Sequence, residues 1–116
     1  MKELAQQIHD MQVETFNNRK RANELELEQR RYVLKLQNAI ADEVVDNKRK
    51  YSNEAQRRAE LDSRLAVSPS YQELDMQIEA LRESISLTDI KVEFVKNQLR
   101  IALIENSTNV VLEVKK

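Results

Sequence analysis

Not one of the 116 residues is glycine, and a single proline, Pro69, interrupts the chain; average usage over this length supplies roughly eight glycines and six prolines. Glycine enters left-handed backbone geometry freely and lets a ligand come close to the main chain. Phosphate-cradling loops, dinucleotide fingerprints and nucleophile elbows all depend on it. A chain without it is expected to form long helices that meet partners through their side chains. Its breaks must then come from the few residues that tolerate them: Asn47, Ser52-Asn53, Ser68-Pro69 and Asn106.

Composition supports the same reading. Apolar residues make up 41% and charged residues 34%, with two Phe, three Tyr and no Trp, which describes an elongated helical surface rather than a deep core. Basic and acidic residues number 19 and 20, a net charge of −1, so any contact with nucleic acid must be local and bulk attraction to an anionic membrane is absent. The lack of cysteine excludes disulfides and thiolate metal sites and suits a reducing compartment. Residues Met1 to Gln7 hold no apolar stretch, and the longest aliphatic run is Ile101-Ala102-Leu103-Ile104. Neither a signal peptide nor a membrane span is expected, and a cytoplasmic location follows as the default.

The strongest periodicity runs through Tyr71, Leu74, Ile78, Leu81, Ile85, Thr88, Val92, Val95, Leu99 and Ala102. Alternating spacings of three and four are the a/d pattern of a coiled-coil seam. They predict a helix about 50 Å long at 1.5 Å per residue, opened by Ser68 with Pro69 at its first position, or by Ser70 with Glu73. From Leu87 onward a second stripe joins it, formed by Leu87, Ile90, Phe94, Ile101 and Ile104. One partner helix cannot cover both stripes, so a third helix or a second subunit is expected there. The N-terminal segment carries a weaker stripe, Leu4, Ile8, Met11, Thr15, Asn18, Ala22, Leu25, Gln29, Tyr32, Leu36 and Ala39, drifting to Ile40 and Val44. Such drift is what a straight helix shows against a seven-residue repeat. The expected fold is therefore all-α: an elongated antiparallel helical hairpin or coiled coil. It comprises a long helix over about 3–47, a break, a short helix over about 53–66 capped by Ser52 or Asn53, and a long helix over about 70–105. Residues 106–116 are expected to form a loosely packed tail, with strand addition to a neighbour as the alternative.

Catalytic chemistry finds little support. His9 is the sole imidazole, and neither Gln6 nor Gln12 supplies the carboxylate that a helical Glu-x-x-His metal site needs. No serine has a visible base partner. The expectation is a protein that is not an enzyme and carries no cofactor or metal. A basic constellation stands out instead: Lys48, Arg49, Lys50, Arg57 and Arg58 surround Tyr51 at the proposed break, with Glu54 the only acid. Concentrated positive charge beside an aromatic ring could hold phosphates and stack a base, or simply complement helix ends and stay solvated. The apolar stripes are the stronger signal. A chain of two or three helices this small buries little of what it exposes, and self-association would supply the remainder, most simply as a two-fold dimer. A partner helix from another protein is a further candidate.

The segments Lys50-Tyr51-Ser52-Asn53-Glu54, Arg57-Arg58-Ala59-Glu60 with Leu65, and Ser70-Tyr71-Gln72-Glu73-Leu74 resemble a class of small helical proteins encoded by phages and prophages. The resemblance spans roughly residues 48–100 and leaves 1–47 untouched. It implies an accessory role around DNA recombination or replication and transfers no catalytic residue. Two functional expectations result: a self-associating helical interaction module, and a nucleic-acid-binding accessory protein.

Overall fold

The computed structural model describes the backbone of residues 2–115 and the side chains of residues 2–107. The protein is all-α apart from one very short strand pair. In chain order the elements are α1 (Lys2–Asp42), β1 (Val44–Val45), β2 (Lys48–Arg49), α2 (Glu54–Ala66) and α3 (Pro69–Lys115). The chain packs as two compact units, Arg21–Ala80 and Met1–Lys20 with Leu81–Lys116, and α1 and α3 contribute to both.

In the unit Arg21–Ala80, α1 pairs with α3 in antiparallel fashion. Gln29 donates to Asp75 at 3.4 Å, and the Tyr32 and Tyr71 rings lie 6.4 Å apart. The Tyr32 hydroxyl meets Ser68 Oγ at 2.6 Å. Rising numbers on α1 thus meet falling numbers on α3. Ala22, Leu25, Ile40, Leu61 and Ile78 form the buried apolar set. Ile40, 1% exposed, is its most enclosed member, while Ala39 is exposed. The drift from Ala39 to Ile40 is therefore the helix keeping its 3.6-residue turn beneath a seven-residue repeat.

The break differs from the expected one. α1 stops at Asp42, short of residue 47, and Val44↔Arg49 and Val45↔Lys48 pair as an antiparallel hairpin. Asp46 (φ 52°) and Asn47 (φ 63°) form its two-residue tip. Two successive left-handed residues define the turn whose twist matches a hairpin. Asp and Asn are the non-glycine residues that best accept that geometry, and β-branched Val44 and Val45 favour extended backbone over helix. The Lys50 amide closes the ladder onto the Glu43 carbonyl at 2.9 Å.

Capping fixes both ends of α2. The Asn53 side chain accepts from the Gln56 amide at 2.8 Å, and Gln56 Oε1 accepts from the Ser52 amide and hydroxyl. The expected box is present, with its return bond displaced by one residue to Ser52. α2 ends at Ala66, ahead of the proline. Of the two possible starts of α3, the chain uses Ser68 with Pro69 at the first helical position: Ser68 Oγ accepts from the Tyr71 amide at 3.3 Å.

In the unit Met1–Lys20 with Leu81–Lys116, Thr15, Thr88, Val92 and Val95 are buried, and Arg19 bridges to Asp89 at 3.3 Å. Every seam position from Tyr71 to Ala102 is buried or half-buried. α3 continues through Asn106 to Lys115, where a stop near 105 and a tail were expected. Ser107, Thr108 and Asn109 are weak helix formers, yet without glycine or proline nothing compels termination. Side chains of the expected tail beyond residue 107 lie outside the described residues.

Candidate functional site

The second stripe is the most prominent surface. Leu87, Ile90, Phe94, Ile101 and Ile104 sit on α3 in the unit Met1–Lys20 with Leu81–Lys116, and each is between 53% and 66% exposed. Their place on the helix explains why. Ile90 and Phe94 lie two residues from the buried Val92, and Ile101 lies two from the half-buried Leu99. At 100° per residue that is about 200° around the helix. The stripe thus faces away from α1 instead of widening the seam. Phe16 on α1, 67% exposed, opens a separate shallow groove with Gln12, Thr15, Arg19, Asp89, Val92, Glu93 and Lys96. Thr15 lines that groove with a buried hydroxyl that has no hydrogen-bond partner among the described residues.

The basic residues gather around the hairpin and the start of α2. Lys48 and Arg49 occupy successive positions on β2, so their side chains leave on opposite faces. Both are exposed, and neither they nor Arg58 form an ion pair among the described residues. Arg57 turns inward and donates to the Tyr51 carbonyl at 3.3 Å. Arg57 and Arg58 line an open cleft of about 320 Å3 between α1 and α2, with Leu61 and Ala41 on its apolar side and Gln37, Asn38 and Glu54 on its polar side. Tyr51 is half-buried. The Lys50 ammonium lies over its ring at 5.3 Å from the centroid. One face of the ring expected to stack a base thus carries a neighbouring cation.

Beside this cluster lies a clamp centred on Arg64. Its Nη2 donates to both carboxylate oxygens of Glu43 at 2.8 and 2.9 Å, and its Nε donates to Glu60 at 2.7 Å. Glu43 sits between α1 and β1, so one guanidinium joins the end of α1 to α2. The hydrogen bond from Arg64 holds the Glu60 carboxyl below its usual range, and bonds to Glu60 and then Glu43 raise the Arg64 guanidinium further. The i,i+4 spacing of Glu60 and Arg64 was visible in sequence. Glu43 was not, because the hairpin that brings it to Arg64 has no glycine to announce it.

Among the described residues no group of three or more histidine, cysteine, aspartate or glutamate side chains is gathered to hold a metal ion. No described helix is long and apolar enough to cross a membrane. Comparison with known protein families, curated proteins and solved structures finds no match to this chain.

Proposed function

We propose that this protein is a non-catalytic helical interaction module that self-associates through the outer face of α3. The observation that carries the reading is the exposure of five large apolar side chains in one stripe, Leu87, Ile90, Phe94, Ile101 and Ile104, on a helix whose other stripe is already covered. A contiguous apolar face of this kind is the usual mark of an interface. Light scattering tests it. At high micromolar concentration the wild type should run at twice the chain mass, and Phe94→Glu with Ile101→Glu should run at one chain mass with its helical circular dichroism unchanged. A monomeric wild type would remove the proposal.

A second reading, a nucleic-acid accessory role consistent with the phage-type resemblance, is supported by Lys48, Arg49 and Arg58, exposed cations without acidic partners among the described residues. With the Lys50 ammonium over one face of Tyr51, phosphate contact carries this reading. Binding should then be insensitive to sequence and steeply weakened by salt. Fluorescence anisotropy with single- and double-stranded oligonucleotides at low ionic strength decides it. No salt-sensitive binding, or binding that survives charge reversal at Lys48, Arg49, Arg57 and Arg58, would eliminate it.

A further inference from the structure

Within the outer stripe the spacings are three, four, seven and three, and Asn97 occupies the position that the interval of seven skips. Leu87, Ile90, Phe94, Asn97, Ile101 and Ile104 therefore form six successive layers over about 26 Å of helix. The residues flanking the stripe carry both signs on each side. Glu93 and Arg100 precede Phe94 and Ile101, and Lys91 and Glu105 follow Ile90 and Ile104. All four are exposed. An apolar strip bordered by balanced charges selects no partner of uniform sign, and it can satisfy itself.

We infer that the occupant of this face is the same face of a second copy of the chain, packed antiparallel about a two-fold axis that passes between the levels of Val95 and Lys96. The inference rests on the self-association reading and adds its orientation and register. In this register Leu87 meets the partner's Ile104, Ile90 meets the partner's Ile101, and Phe94 meets the partner's Asn97. The central layers then pair a large side chain with a small one, and the outer layers pair aliphatic side chains of similar size. A parallel pairing would stack two phenyl rings in one layer and two small amides in the next, which packs unevenly. Asn97 has no need of its own twin, because its Oδ1 already accepts from Arg100 at 3.2 Å. Charge favours the same choice. The antiparallel register sets Glu93 beside the partner's Arg100, and the two-fold axis repeats the contact. Within its own chain Glu93 pairs with Lys96 at 3.6 Å. The helix dipoles also oppose one another in this arrangement. Because α1 already holds α3 helical in this unit, pairing demands little further ordering.

The absence of cysteine makes the register directly testable. Leu87→Cys and Ile104→Cys are prepared separately, mixed and oxidised mildly, and the products are identified by mass spectrometry. The mixture should give the disulfide between the two variants, and each variant alone should give little covalent dimer, since identical positions lie about 25 Å apart along the axis. Self-cross-linking of Leu87→Cys alone would overturn the antiparallel arrangement while leaving self-association standing. A wild type at one chain mass would overturn both. A second measurement avoids the stripe itself: Glu93→Arg should weaken dimerisation by about tenfold, and adding Arg100→Glu should restore it. Failure of the double exchange to restore affinity would also reject the register.

Discussion

Asp46 and Asn47 show what a chain without glycine does when it must turn sharply. Both adopt positive φ, a geometry that costs a non-glycine residue roughly 1–2 kcal/mol, less for Asn and Asp. Asn47→Gly should therefore stabilise the hairpin by about 0.5–1 kcal/mol, and Asn47→Val should destabilise it by at least as much; urea midpoints on the two variants measure both signs. The same position shows why sequence located the break but not its form. Asn47 was readable as a stop, yet the strongest hairpin signal ends in glycine, and here Asn takes that place. Thr15 is a second residue-scale site of stored cost. Its Oγ1 is buried without a hydrogen-bond partner among the described residues and the residue is 8% exposed. Thr15→Val keeps the shape and removes the orphan, and should raise stability by about 1 kcal/mol. An unchanged or lowered melting temperature would place a hydrogen bond on that hydroxyl.

At the scale of elements, the Tyr71-to-Ala102 seam was fully legible because its periodicity belongs to one uninterrupted helix. The start of α3 at Pro69, the Asn53 cap and the end of α2 at Ala66 were legible too, since each rests on local chemistry. The clamp of Glu43, Glu60 and Arg64 was only half legible, because it joins elements whose juxtaposition the hairpin creates. Its pH dependence follows from the direction of the Glu60 shift. A carboxyl whose folded pKa lies below its ordinary value of 4.5 contributes stability that is fully present above that value. The contribution is lost as pH falls through the lowered folded pKa. Arg64 is shifted upward, away from the physiological range, and adds no slope there. Melting temperature should therefore drop between pH 5 and pH 3 in the wild type, and the drop should be smaller in Glu60→Gln. Equal slopes for both proteins would show that Glu60 does not carry the acid sensitivity. The seam makes a harder demand. Val92 is buried, and Val92→Asp places an unpaired charge there at a cost of several kcal/mol. Loss of helical signal at room temperature is the expected result, and a native melt would mean that the register of the seam is wrong.

For the molecule as a whole, burial within each unit is thin. Ala22, Leu25, Ile40, Leu61 and Ile78 serve one unit, and Val92 and Val95 with two threonines serve the other. Small domains bury a low fraction of their surface and are correspondingly marginal, while the outer α3 face leaves five large apolar side chains in water. Covering that face would remove five large apolar side chains from water. If the proposed dimer forms, stability becomes a function of protein concentration, because a partner that binds only the folded state adds RT ln(1 + [L]/Kd). A hundredfold rise in concentration near the dissociation constant should add roughly 2–3 kcal/mol and move the melting temperature upward by several degrees. Phe94→Glu with Ile101→Glu should melt at a temperature independent of concentration, because the face that responds to concentration has gone. Under the dimer proposal the two unfolding curves should converge on dilution, where the wild type would also be monomeric. A wild type whose melting temperature ignores concentration, while its mass remains that of a dimer, would mean that association adds no stability, and would separate the role of the outer face in recognition from any role in holding the fold.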